Sequence, residues 1–289
     1  IGLFVDYEGY PFDFDFFTGN TFEGHTFKTS VEKLIKKYQF KRLTIVADAG
    51  MLSEDNLSYL EAKKINYIVG ARLKNTKEET IKQIIDHNYK VQSINEIKLD
   101  SQRLIIEYSE DRAKKDEKNR EKIIDKLKRK LEAGKPVIHK NKFLMVKNQE
   151  KITQIDDKKI EADKQFDGLK GYITNKKNQG SFEEIISQYH NLWKVEKAFR
   201  MSKNDLKERP IYHQEIKRIK SHLILCFVSL LVMREAEKIL NRKNYTIEKT
   251  IEIIGKVGKG EIRIGNTKMP LESEINQESK DILKLFLGH

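Results

Sequence analysis

Tyr189, Glu196 and Lys203 recur at intervals of seven residues in FEEIISQYHNLWKVEKAFRMSKNDLKERPIYH, residues 182–213. At about 100° per residue they share one stripe of a helix, with Trp193, Phe199 and Arg200 beside it. Aromatic faces and cations in that mixture suit the bases and phosphates of a nucleic acid. A lone carboxylate among them is costly unless something cationic meets it. A second acid, Asp48, closes the β-branched run RLTIVAD and is followed by the small pair Ala49 and Gly50, which lets a large ligand approach closely. In open sheets, polar groups at the carboxyl ends of strands line the ligand crevice. Each acid also has a plain structural reading. Glu196 can pair with Arg200 on a solvated helix face, and Asp48 can be a turn or cap residue. Position alone does not choose between them.

Ahead of Asp48, the apolar run IGLFVD, the turn YEGYP and the alternating FDFDFF predict two antiparallel strands joined as a hairpin. The stretch 18–27 is turn-rich, and Thr29 or Ser30 is expected to cap a helix over 31–38. Residues 42–50 predict a buried parallel strand ending in Asp48. Ser53 then caps a helix, and 66–73 form a further strand. Strand, strand, helix, strand, helix, strand is the order of a mixed α/β sheet with helices on its faces. A helix over 75–88 follows, then strand-like pieces at 91–97 and 102–109. Residues 109–133 predict a highly charged helix ended by Gly134 and Pro136. That helix is solvated by default, and faces DNA only if its Lys and Arg line one side. VIHKNKFLMVK and DGLKGYITN suggest a small β-insertion, with soft boundaries near 74 and 165. The 182–213 stretch is expected to be one long helix and a basic turn, and 214–241 a core helix that packs it against the sheet. A helix near 246–255, a hairpin-like KVGKGEIRI and a short terminal helix complete the chain, with no chemistry in them.

Lys and Arg number 56 against 44 Asp and Glu, a formal charge of +12, in a chain 38% hydrophobic and 35% charged. Its 289 residues suffice for one large domain or two ordinary ones. The excess charge is spread along the chain and favours a polyanionic partner, nucleic acid ahead of a membrane surface. A Lys-, Ile- and Asn-rich vocabulary also suits an AT-rich genome. Cys226 is the one cysteine, which excludes an intrachain disulfide and a cysteine-based zinc site; core packing is its expected role. The apolar run LILCFVSLLVM is too short to span a bilayer, and no secretory signal is seen, so a cytoplasmic location is expected. A P-loop, a G-x-G-x-x-G after a strand and a His-x-x-x-His pair are all lacking, so nucleotide hydrolysis and zincin chemistry lose their usual signatures. His25, His190, His213 and His222 read as hydrogen-bonded structural residues.

Three segments, in order, resemble the DDE transposases of the insertion-sequence-4 type, including their mycoplasma-like branch. LFVDYEGYPFDFDFFTGNTFEGHTF is similar to the family's strand-turn-strand with its Gly-Asn-Thr turn. IVADAGMLSEDNLSYL resembles the strand that carries the second catalytic Asp. YHNLWKVEKAFRMSKNDLKERPIYH is similar to the signature Tyr-x2-Arg-x3-Glu-x6-Lys. Tyr189, Glu196 and Lys203 fall on its spacing; Leu192 holds the Arg position, with Lys194, Lys197 and Arg200 supplying charge nearby.

The resemblance implies an α/β fold: a ribonuclease-H-like mixed sheet with flanking helices, interrupted by a mainly β insertion. Its parts would be 1–74 as the first part of the catalytic core, 75–165 as the insertion, 166–245 as the second part with the Glu-bearing helix, and 246–289 as a C-terminal extension. It implies Asp48 and Glu196 as the second and third catalytic acids and metal ligands. They would serve two Mg²⁺ or Mn²⁺ ions about 4 Å apart that activate the attacking oxygen and stabilise the leaving one. Tyr189, Lys203, Arg200 and Lys197 are then the DNA contacts. The implied partners are transposon-end and target DNA, with no membrane, and a homodimer in the DNA complex. In this family the first catalytic Asp lies on the strand before the opening hairpin. Asp6, Asp13 and Asp15 are poor substitutes, because metal sites demand specific ligand geometry. The expectation is a transposase truncated at its amino end and inactive in cleavage. The alternatives are a non-catalytic DNA-binding protein or a general nuclease on the same fold.

Overall fold

A computed structural model describes residues 2–17, 23–48, 50, 53–89, 93–133, 142–147, 151–176, 180–206, 210–264 and 267–287. In chain order the elements are β1 (Gly2–Val5), β2 (Pro11–Asp15), α1 (Glu23–Tyr38), β3 (Thr44–Ala47), α2 (Glu54–Ala62), β4 (Asn66–Ala71), α3 (Glu78–Asp86), β5 (Ile94–Lys98) and β6 (Arg103–Tyr108). Next come α4 (Glu110–Glu132), β7 (Leu144–Lys147), β8 (Lys151–Ile155), α5 (Asp157–Lys164), β9 (Leu169–Thr174), α6 (Phe182–His190) and α7 (Leu192–Arg200). The last are α8 (Ile216–Asn241), α9 (Ile247–Ile254), β10 (Lys259–Ile264), β11 (Thr267–Glu272) and α10 (Gln277–Leu287). They divide into two units, Phe17–Leu192, and Ile1–Phe16 with Trp193–His289.

The Phe17–Leu192 unit is built on a five-stranded mixed sheet of order β3-β4-β9-β6-β5. β3 runs parallel to β4, with Thr44 opposite Asn66 and Ala47 opposite Val69, as expected for the strand ending in Asp48. The other pairings are antiparallel. The period-2 alternation of a strand divides β6 between two cores. Leu104 and Ile106 pack with Leu73, Ile84 and Phe166, while Ile105 packs with Ile68, Tyr172, Ile185, Ile186 and Tyr189. A third cluster joins Val31, Leu60, Tyr67 and Val69. Each such side chain contributes about 1.5–3 kcal/mol on burial. Gly168, at φ +79°, turns the chain into β9; a Cβ there would stand 2.6 Å from the Tyr108 ring, so only glycine fits. β7 and β8 form a separate small hairpin, and Phe143 and Leu144 pack against Leu127 of α4.

Ser53 caps α2 as expected, its hydroxyl accepting the Asn56 N–H. α1 corrects the expectation of a cap at Thr29 or Ser30, since the helix already runs from Glu23. Thr and Gly lower helix propensity in this stretch, but burial of Phe27, Val31 and neighbouring residues against one core overrides it.

In the other unit, β1 and β2 form the expected antiparallel hairpin. Asp6 shapes its turn by accepting the backbone N–H groups of Glu8 at 2.9 Å and Tyr10 at 2.8 Å. Ala198, Met201 and Leu230 form a small core with Leu3, Leu206, Met233 and Ile247, and Phe14 packs against Phe227 at 4.8 Å.

Two expectations are corrected along 182–213 and the helix after it. The first stretch is not one regular helix. It divides into Phe182–His190 and Leu192–Arg200, with Asn191 between them as a turn residue whose N–H is shared by the Ser187 and Tyr189 carbonyls. Met201–Asp205 is a π-turn, which adds a residue to the helical register. Nor is α8 wholly a core helix. Leu223, Leu230 and Leu240 are buried, while Leu225, Val228 and Val232 are exposed. Cys226 is half-buried, with its sulfur 3.7 Å from His222 Nε2. The hairpin near KVGKGEIRI forms as β10 paired with β11. Among the described residues no helix is long and apolar enough to cross a membrane.

Candidate active site

Asp48 follows the last residue of β3 and is exposed, whereas Ala47 before it is buried. Its Oδ1 accepts a hydrogen bond from the Tyr189 hydroxyl at 3.1 Å. Tyr189 reaches it from α6, which starts at a complete capping box. The Ser181 hydroxyl accepts the Glu184 N–H, and the Glu184 carboxylate accepts the Ser181 N–H. Three residues of α6, Ile185, Ile186 and Tyr189, are then buried against Ile68, Ile105 and Tyr172 of the sheet. The helical spacing that buries the two isoleucines therefore carries the tyrosine with them.

Behind Tyr189 lies a polar cluster that the sequence reading did not pick out. Its ring meets the Tyr172 ring edge-on at 4.8 Å, and the Lys170 ammonium stands 4.8 Å above its face. Buried Tyr172 donates its hydroxyl proton to Glu107. Burial, with the Glu107 hydrogen bond and charge adding to it, holds that hydroxyl far above the usual tyrosine range, so it stays a donor. His190 Nε2 lies 3.0 Å from the Tyr172 oxygen and 3.3 Å from Glu107. Since the tyrosine proton goes to Glu107, the role left to Nε2 is donor to the two oxygens. His190 is thus hydrogen-bonded, as expected. The available signal was Glu107 itself, a carboxylate at the end of the apolar run LII, sharing a strand face with buried Ile105.

The other acid has different surroundings. Glu196 is exposed on α7. It has no hydrogen-bond or ion-pair partner among the described residues, so the anticipated pair with Arg200 does not form. Arg200 is likewise exposed. Lys203 sits 5.5 Å from the Phe199 ring centroid, and Lys197 is engaged by Glu237 of α8. Trp193 is exposed. Tyr189 is buried while Glu196 and Lys203 are exposed, so the expected common stripe is divided. His213 packs edge-on against His222 at 6.0 Å, and the His25 side chain lies outside the described residues.

Asp48 and Glu196 both offer exposed carboxylate oxygens, the donor type that hard divalent cations take. Among the described residues, no group of three His, Cys, Asp or Glu side chains is placed to hold a metal ion. Residues 1–232 match the family model described as Transposase DDE domain. No curated protein matches the chain.

Proposed function

The chain belongs to the transposase DDE-domain family, and from that premise we propose that it is an insertion-sequence-4-type transposase of the mycoplasma-like branch, a DNA-binding protein of the strand-cleaving and strand-transferring class. The family is enzymatic, acts on DNA and generally uses divalent metal. In this reading the five-stranded sheet belongs to a ribonuclease-H-like core, and Asp48 and Glu196 are its second and third acids. They would hold Mg²⁺ or Mn²⁺, which when bound activates the attacking oxygen and stabilises the leaving one.

The observation that carries this reading is the hydrogen bond from Tyr189 to Asp48, residues 141 apart in sequence. Two segments that separately resemble the family's motifs meet at one carboxylate. A mere turn or cap role for Asp48 does not call for a buried tyrosine brought from a distant helix. Tyr189 orients Asp48 by fixing one of its oxygens. Arg200 and Lys203 are exposed cations suited to phosphates. Lys197 can join them only by giving up part of its pairing with Glu237.

The test is Mn²⁺ titration of the purified chain by calorimetry in the presence of a transposon-end duplex. Loss even of a partner behind a metal ligand costs about 10–100-fold in affinity. We therefore expect Asp48→Ala and Glu196→Gln each to weaken Mn²⁺ binding by at least about tenfold. Unchanged metal binding and DNA affinity in both variants would sink the assignment and leave a DNA-binding protein with structural acids. Cleavage of any duplex regardless of its end sequence would point to a general nuclease.

A further inference from the structure

The charged helix α4 has a basic side, and its two halves differ. Towards the amino end two of the cations are paired within the helix. Lys114 pairs with Glu110 at 3.0 Å and Arg112 with Asp116 at 3.7 Å. Arg120 turns inward, its guanidinium bidentate on Asp167 at 2.6 and 2.5 Å. Beyond it, Ile124, Leu127 and Leu131 pack on Phe143, Leu144 and Ile160. One side of the helix is thereby fastened along its length.

The opposite side carries Lys122, Lys126, Arg129 and Lys130, which line a shallow recess with Asp125 and Ala133. Offsets of four, seven and eight residues place these cations on one side of the helix. All four are exposed, and none forms an ion pair with a carboxylate among the described residues. Attraction to the helix C-terminus explains basic residues in the last turn, where Arg129 and Lys130 lie. It does not explain Lys122 and Lys126, one to two turns earlier on the same stripe. From Lys122 to Lys130 the stripe is about 12 Å long, a length over which duplex DNA carries about seven phosphate charges.

We propose that this stripe of α4 is a sequence-independent seat for the phosphate backbone of duplex DNA. The proposal rests on the DNA-acting reading above and adds a contact surface outside Asp48 and the 182–213 segment. An anchored helix fixes the backbone spacing of the cations, so only their side chains are ordered when they meet phosphates. Lys and Arg contacts of this kind strengthen binding to all sequences alike and release counterions.

The experiment is fluorescence anisotropy with a short labelled duplex of arbitrary sequence, over roughly 50 to 200 mM salt. Replacing all four cations, as K122Q/K126Q/R129Q/K130Q, is expected to flatten the slope of log affinity against log salt by about 3 to 4. Each single substitution should flatten it by about 0.9. Lys114→Gln, on the same helix but already paired with Glu110, should leave the slope unchanged. Far-ultraviolet circular dichroism of the quadruple variant should match the parent, since the replaced side chains are exposed. An unchanged slope in the quadruple variant, or equal flattening by Lys114→Gln, would overturn the proposal. If the parent chain shows no salt-dependent DNA binding, the DNA-acting reading fails and takes this one with it. Parent binding with an unaltered variant slope rejects the α4 stripe alone.

Discussion

Asp48 and Glu196 are the same kind of group in contrasting settings. Asp48 follows a strand of the five-stranded sheet, and a buried tyrosine fixes one of its oxygens. That tyrosine is itself held by a ring contact with Tyr172, whose hydroxyl is tied to Glu107. Glu196 stands exposed on a nine-residue helix, with no partner among the described residues. The unit holding Asp48 packs three apolar clusters on its sheet, while among the described residues the unit holding Glu196 shows one small cluster of three buried residues. The difference teaches that Asp48 is positioned by the fold, whereas no group among the described residues orients Glu196. A side chain already held by the fold loses less entropy on ordering than an exposed one without a partner.

If that contrast is right, damage to the packed unit should be costly. Arg120→Ala removes the cation from a side chain only 5% exposed and leaves Asp167 without its bidentate partner. Breaking a buried pair from one side costs about 3–5 kcal/mol. We expect a loss of that size in urea unfolding. A loss below about 1 kcal/mol would mean that the Phe17–Leu192 unit is less rigid than its hydrogen bonds imply.

The two acids can be compared directly with a smaller pair of changes. Tyr189→Phe keeps the ring and deletes only the hydroxyl on Asp48, which should cost about 1 kcal/mol. Glu196→Gln, at an exposed site without partners among the described residues, should change stability by less than about 0.5 kcal/mol. Equal effects would erase the distinction drawn between the two sites. The same variants separate stability from metal binding, because Glu196→Gln is expected to matter for the second and not for the first.

Much of this arrangement was legible in the chain. The β-branched run before Asp48 specified a strand and its end, and Ser53 marked a helix start through local cap chemistry. Both signals depend on near neighbours. What could not be read depends on contacts between distant residues. The 3.6-residue period treats 182–213 as continuous and puts Tyr189 with Glu196, whereas Tyr189 is buried against the sheet and Glu196 is exposed. Glu107, Tyr172 and His190 come together because β6 pairs with β9, with Glu107 opposite Lys170 and Ile105 opposite Tyr172, and because α6 lies against that face. Nothing in the spacing of residues 107, 172 and 190 announces this. The early start of α1 was hidden for a related reason, since a helix of poor local propensity is sustained by its buried face.

The smallest expected effect concerns Asp163, which lies beside the Arg120 pair and so tests the same unit by pH. Its carboxylate meets Lys74, Lys142 at 2.8 Å and, at 3.8 Å, Arg120. Burial alone would push its pKa up, but the hydrogen bonds and charges of Lys142 and Lys74 outweigh it and hold the pKa below the usual carboxylate value. A carboxylate with a depressed folded pKa contributes stability that is complete above the unfolded value, about 3.9. That contribution is lost as pH falls through the folded value, because the unfolded chain takes up the proton first. Urea midpoints measured from about pH 5 downwards should therefore fall less steeply for Asp163→Asn than for the parent chain. At neutral pH the same variant should be less stable than the parent, since it loses the three cations' attraction. Parallel pH profiles for the two proteins would show that Asp163 titrates alike in the folded and unfolded chains, and that the lysines over it are held too loosely to shift it.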